Sequence, residues 1–275
     1  MSRDEILDRL RSEYMGRSLY YYDETDSTNA RIGDLAGAGA PDGTLAVADK
    51  QTAGRGRRGR GWDSPPGMNI YMSLLLRPDM DPSDAPMITI LMALAVCESA
   101  TEVIGGENAG DDTPAARIKW PNDIVIRGRK VCGILTEMNM EAGCISGVIV
   151  GVGINVNQGE RTLFPEEIRD TATSLKLECG HAIDRSILIA MIMERFEDLY
   201  GRFTDSGDLA YLTDRYDELL VSRDREVRVL DPQGEYTGIS RGIDDRGELL
   251  VETPDGEVHR VYAGEVSVRG LYGYV

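Results

Sequence analysis

The chain has 275 residues, 41% of them hydrophobic, enough to bury a large domain and a small one. Its formal net charge of −17 opposes general nucleic-acid binding, because a long polyanion is repelled at ordinary salt. Four scattered cysteines with no CxxC pair, and only two histidines, argue against a disulfide framework or a structural zinc site, and point to reduced thiols in a cytoplasmic setting. In chain order, Ile6, Leu7, Leu10 and Tyr14 recur at helical spacing and predict a leading helix over 4–14. The opening MSRDEILDRL has no basic stretch before an apolar one, so no secretory signal is expected. SLYYYDE (18–24) predicts a strand, and Ser27 or Thr28 an N-cap for a helix ending near the glycines at 37 and 39. TLAVADK (44–50) and NIYMSLLLR (69–77) predict two more strands on either side of a Gly/Arg loop. Residues 85–104 predict a long buried helix, with Pro86 tolerated in its first turn. Its apolar run from Met87 to Cys97 is too short to span a bilayer, so no membrane partner is expected.

The stretch from Glu107 to Pro114 is polar and reads as a loop. Four strand-like segments follow, ARIKW, DIVI, KVCGILTEM and CISGVIVGVGI, with a hairpin connection at 127–129. Helices are predicted at about 185–203 and 207–221, the second with Ser206 as N-cap. From Arg225 onward the texture changes to short β runs broken by Gly and Asp turns, the pattern of a small all-β barrel. The expected fold class is α+β, a mixed and mostly antiparallel sheet flanked by helices and then a small barrel, divided as 1–221 and 222–275.

Of the 30 cationic residues, only Lys50, Lys119, Lys130 and Lys176 are lysine. A saline cytoplasm and a GC-rich genome both produce such a bias. In KQTAGRGRRGRGW (50–62), Lys50, Arg55, Arg57, Arg58 and Arg60 collect five positive charges within eleven residues. Glycines let that backbone approach a ligand, and guanidinium forks suit carboxylate or phosphate; alone, the stretch also reads as a solvated turn. Gly54, Gly56 and Gly59 spell GxGxxG, but the paired prolines at 65 and 66 forbid the helix that a dinucleotide fingerprint needs, and no GK[ST] of a Walker loop is present. KWPND (119–123) and RKVCGIL (129–135) hold two of the four lysines. A compact ammonium can reach a reacting carboxylate or phosphate oxygen, and Asp123 can hold that lysine or a magnesium ion; a surface hairpin with an incidental ion pair is the plainer alternative. GVGIN (151–155) ends an apolar strand and could serve only sheet–helix packing, while DSTN (26–29) alone is an ordinary helix N-cap.

Together and in this order, the four segments resemble the catalytic domain of biotin–protein ligases, from about Tyr20 to Asn157, with a looser likeness to Leu220. Residues 223–270 resemble the SH3-like C-terminal domain of that family. The resemblance implies a class II synthetase-like ligase that uses ATP and Mg²⁺ to convert biotin into biotinyl-5′-AMP. The acceptor would be a lysine of a biotin carboxyl carrier protein. By position, Ser27, Thr28, Asn29 and Gln51 would line the biotin head-group pocket, and Gly133 would let the backbone approach biotin. Gly54, Arg55, Gly56 and Arg57 would belong to a loop closing over biotin and the phosphates, with Arg60 beside the nucleotide. Lys130 would be the catalytic lysine, assisted by Arg55 and Arg57. Trp62 would cover the adenine, Gly151 and Asn155 would bind the nucleotide, and Asn122 and Asp123 would lie near phosphates and metal. DSTN begins 26 residues in, so a helix-turn-helix repressor domain is not expected, nor a DNA partner. A homodimer through the sheet is plausible for the family. Two alternatives stay open: a lipoate–protein ligase of related fold, whose different Arg/Gly motif is not found here, and a regulator that binds biotin without transferring it.

Overall fold

The computed structural model describes residues 1–105, 115–141, 143–231, 234–263 and 267–270. The polar stretch at 107–114, expected as a loop, lies outside them. Seven strands form the first sheet: β1 (Leu19–Thr25), β2 (Leu45–Gln51), β3 (Ile70–Leu76), β4 (Arg117–Lys119), β5 (Asp123–Ile126), β6 (Arg129–Glu141) and β7 (Cys144–Ile154). Their order is β1-β2-β3-β7-β6-β5-β4, and only β1 and β2 run parallel. The two faces of the sheet have different fates because strand side chains alternate. Met72, Leu74, Val150 and Val152 point into the main core, against α3 (Ala85–Gly105) and α5 (Arg185–Ser206). On the opposite face Ala46, Leu75 and Ile149 pack on Ile32 of α2 (Thr28–Gly37). The short α2 covers only part of that face and leaves a floor beside it.

The 21-residue α3 lies within a segment apolar and long enough to cross a membrane by composition alone, yet most of it is buried in this core. The leading helix α1 is shorter than expected, Arg3–Arg9, with Ser2 and Glu5 forming a capping box. It stops because the backbone N–H groups of Glu13, Tyr14 and Met15 donate to the Glu197 carboxylate on α5 (2.6, 2.9 and 2.9 Å) rather than to a fourth turn. The expectation of a helix from 207 capped by Ser206 is also corrected. Ser206 is the last residue of α5, whose end is made by Gly207 in the left-handed region (φ +76°), its N–H bonded to Phe203 O. The next helix, α6, spans Thr213–Leu219, and a short α4 (Leu175–Cys179) had no expectation attached.

Five further strands form the second sheet: β8 (Glu226–Asp231), β9 (Gly234–Ile243), β10 (Leu249–Glu252), β11 (Val258–Val261) and β12 (Ser267–Gly270). All pairings are antiparallel, in the order β11-β10-β9-β8-β12. This unit is fastened to the first by the KWPND segment. Trp120, 4% exposed, donates its indole N–H to Gly247 O at 3.0 Å. The turn at Gly247 rests on Ile90 of α3 and on Leu209.

Candidate functional site

The uncovered floor of the first sheet opens into a cleft of about 500 Å³. The spacing of the motifs explains the floor. Gly151 and Gly153, two apart on β7, face the same side, and Gly153 is the cross-strand partner of Gly133 on β6. A Cβ on Gly151 would come 2.2 Å from Asn29 Oδ1, so this glycine admits the first turn of α2. A Cβ on Gly153 or on Gly133 would enter the indole of Trp62, at 2.6 and 2.9 Å. The glycine pair is thus a bare ledge on which that indole lies, with Lys130 Nζ 5.3 Å from the ring centroid.

The Gly/Arg loop is a small hairpin over the cleft. Trp62 N–H donates to Gly54 O (2.9 Å), Gly56 N–H donates to Arg60 O (2.7 Å), and a tight turn at Arg57–Gly59 forms the tip. At the root, a Cβ on Gly54 would sit 2.5 Å from Trp62 O, so only glycine permits this closure. The hairpin touches the far bank twice: Arg57 donates to Asn122 Oδ1 at 2.8 Å, and Arg55 lies 3.6 Å from Glu137 Oε1. Burial pushes the Arg57 guanidinium pKa down, against the pull of Asp123.

At the α2 end, polar groups are chained together. Gln51 Oε1 accepts from Thr28 N–H (2.8 Å) and Thr28 Oγ1 (3.1 Å), while its Nε2 donates to Ser64 Oγ (3.0 Å), which donates to Trp62 O (2.9 Å). Ser73 Oγ is within reach of Thr28 Oγ1 (2.7 Å) and Asn29 Oδ1 (2.5 Å), and its single proton serves one of them. Asn29 Nδ2 donates to Glu137 Oε2 (2.6 Å). Ser27 occupies the N-cap position of α2, yet its hydroxyl makes no capping hydrogen bond and lines the cleft.

The other end is cationic. Lys130 Nζ lies 2.6 Å from Asp123 Oδ1, and Lys119 is the cross-strand partner of Asp123. Burial, together with Lys130 and Arg269, pushes the Lys119 pKa down to about 8, despite Asp123. Seven cationic side chains against three carboxylates line the cleft of a strongly anionic protein, so the field inside is reversed in sign. A cleft with a polar end built mainly of hydroxyls and amides and a cationic end suits a ligand pair meeting through anionic groups. Among the described residues no three His, Cys, Asp or Glu side chains cluster as a metal site. Asp123 alone fits magnesium only as Mg²⁺ is commonly held, by one carboxylate together with the oxygens of a phosphate ligand.

Of the sixteen residues expected at the site, all but Gly54 line the cleft, and Gly54 hinges the hairpin above it. Asn155 is tied to the chain behind it, its Nδ2 donating to Thr173 O at 3.1 Å. Sequence reasoning missed Ser73, Glu137, Arg269 and the wall from Phe164 to Ala172. Ser73 carried a signal, a lone serine in the apolar strand IYMSLLL. Arg269 lies on β12 and reaches the cleft only through docking of the second sheet.

Residues 21–155 match the model of the biotin/lipoate A/B protein ligase family, and residues 224–269 match the biotin protein ligase C terminal domain. The bifunctional ligase/repressor BirA of Bacillus subtilis is 41% identical over 270 residues, covering 98% of this chain and 79% of that protein. The biotin–[acetyl-CoA-carboxylase] ligase of Mycobacterium tuberculosis is 34% identical over 256 residues, covering 91% of this chain and 88% of its own length. The biotin protein ligase of Aquifex aeolicus, solved in complex with biotin and ATP, superposes with a TM-score of 0.77 at 31% identity, covering 92% of this chain and 99% of that one.

Proposed function

The chain belongs to the biotin protein ligases, within the biotin/lipoate A/B protein ligase family, and from that premise we propose that it activates biotin with ATP and transfers it to a lysine of a biotin carboxyl carrier protein. The observation that carries this reading is the cleft itself: a fixed polar pocket at one end, cations at the other, and an arginine-bearing hairpin above both. A biotin carboxylate oxygen bonds to the α-phosphorus of ATP as the bond to the β-phosphate breaks, and pyrophosphate leaves with the electron pair. Two anions must approach for this, so rate comes from positioned cations, which we assign to Lys130, Arg55 and Arg57. In the second step the neutral amine of the acceptor lysine attacks the biotinyl carbonyl, loses its proton, and AMP departs.

The remaining roles belong to the same proposal, with the geometry in support. Ser27, Thr28, Asn29 and Gln51 receive the biotin head group, and the ledge at Gly133 and Gly153 under Trp62 carries its chain. Arg60, Asn122, Gly151 and Asn155 serve the nucleotide, with Trp62 between the two ligands. Asp123, shared with Lys130, would help hold a magnesium ion accompanying ATP, which would offset phosphate charge. The wall at 164–172 excludes water from the adenylate. We divide the chain as 1–221 and 222–275, with one family match on each side. The −17 charge speaks against DNA contact by these residues. The four free cysteines agree with a cytoplasmic enzyme, and the exposed Met138 and Met140 on β6 support a homodimer through the sheet.

Exchange of labelled pyrophosphate into ATP is expected only when biotin is present, with lipoate failing to replace it. Exchange without biotin dependence, or driven equally by lipoate, refutes the assignment, and biotin binding without exchange marks a regulator. Lys119, at the cationic end of the cleft, is assigned to the ATP phosphates as well and adds a pH dependence. Its folded pKa of about 8 lies below the ordinary 10.5, so the ammonium is present below about pH 8 and lost above it. The KM for ATP should therefore rise between about pH 7 and 9, approaching tenfold for the loss of a charged hydrogen bond. Lys119→Arg, charged throughout, should flatten that profile; a wild-type KM independent of pH removes Lys119 from the phosphate site.

A further inference from the structure

Glu137 is a carboxylate for which the mechanism above has no use. It stands on β6 two residues beyond Leu135 and four beyond Gly133, and therefore on the same face as the ledge. Its two oxygens serve two different elements. Oε2 accepts from Asn29 Nδ2 of α2 at 2.6 Å, and Oε1 lies 3.6 Å from the Arg55 guanidinium of the hairpin. We infer that Glu137 is the catch of this flap, a positioning residue that acts through Arg55 and ties closure of the hairpin to the orientation of Asn29 in the pocket. The inference rests on the proposed function for the identity of the pocket's ligand, though not for the contact itself.

Three of the described polar contacts hold the flap to the body. At its root the Gln51–Ser64 pair takes Trp62 O, at its tip Arg57 takes Asn122, and on its flank Arg55 faces Glu137. The flank contact is the only one of the three made by opposite charges. Both partners are partly exposed, at 52% and 39% of the side chain. An ion pair so hydrated is weak. It biases the flap toward closure and still allows it to open for ligand entry. The second oxygen makes the catch responsive to the pocket. Asn29 Nδ2 is oriented by Glu137, while its Oδ1 faces Ser73 and, beyond it, Thr28 and Gln51. A head group that orders this chain holds Glu137 in place to receive Arg55, and a closed flap in turn holds the chain. A carboxylate is required for the double duty. A glutamine of equal size has one acceptor oxygen, so it can satisfy Asn29 or Arg55 but must turn its amide N–H₂ toward the other.

The test compares the full chain with Glu137→Gln, Arg55→Gln and the double variant. Two readouts are the dissociation rate of labelled biotin and the rate of trypsin cleavage at the arginines of residues 57–60, with and without saturating biotin. Glu137→Gln should release biotin roughly fivefold faster, the upper range for losing one exposed ion pair, and its flap should be cut faster by a similar factor. The double variant should be no worse than Arg55→Gln alone, because both substitutions break the same contact. Additive effects, or an unchanged cleavage rate in Glu137→Gln, overturn the catch. A lowered melting temperature with neither rate altered assigns Glu137 to structure alone and overturns it equally. Should Glu137→Gln fail to fold, Arg55→Gln reads the same contact from the flap side, and wild-type cleavage kinetics there end the proposal. If the unsubstituted protein binds no biotin, the reading of function fails instead, and cleavage without ligand still tests the catch.

Discussion

Lys130→Ala should lower biotin-dependent pyrophosphate exchange by about a hundredfold to a thousandfold, the usual effect of removing one positioned donor from a developing anionic centre. Lys130 lies at the meeting point of the cleft's two ends, its ammonium 2.6 Å from Asp123 and near the face of Trp62. No neighbour can replace it there. Arg57 is committed to Asn122, and Lys119 lies on β4 across Asp123. The fold should survive, because Lys119 still offsets the Asp123 charge and the Lys130 side chain is about a quarter exposed. Biotin affinity and melting temperature are the controls. If the variant exchanges pyrophosphate within tenfold of wild type, Lys130 is not the group that brings the two anions together.

Arg57→Gly should produce a different failure, loss of custody over the activated acid. The side chain both supplies a cation to the cleft and fastens the hairpin tip to Asn122. A charged hydrogen bond of this kind contributes about 1.5–3 kcal/mol, so adenylate should escape at least tenfold faster. The released anhydride then acylates any exposed amine. With ATP, biotin and an unrelated protein such as serum albumin, the variant should label the bystander, read on a streptavidin blot, while wild type does not. Bystander labelling at the wild-type level by a folded Arg57→Gly protein would mean that the hairpin tip does not retain the intermediate.

Much of the first sheet was legible because its strands are apolar or alternating runs bounded by glycine, and α3 because only Thr89 interrupts its apolar run from Ala85 to Cys97. The site was legible as motifs: residues scattered over DSTN, the Gly/Arg loop, KWPND, RKVCGIL and GVGIN converge on one cleft. Each motif taken alone had a plain reading, and Gly151 keeps part of its own, since it does make room for a helix turn. The failures have local causes. The leading helix was overextended because Glu197, remote in sequence, captures the backbone donors that would have continued it. Ser206 was taken for a start where Gly207 makes an end, because the polar run around it suits either. Glu137 and Arg269 belong to no motif and gain meaning only from what the fold brings beside them. Trp120 is a motif residue with a second task, lining the cleft while its indole secures the second sheet.

The reversal of sign between surface and cleft has a consequence for traffic. An incoming nucleotide or carboxylate first meets an acidic exterior whose repulsion extends about 8–10 Å at moderate ionic strength. Only past that rim does it come under the pull of the cleft's cations, of which Arg57, Lys119 and Lys130 are partly buried and less screened by dissolved ions. Adding salt therefore thins the barrier more than it weakens the partly buried part of the trap behind it. Anion binding in such a cleft should fall less steeply with salt than binding through a basic outer surface.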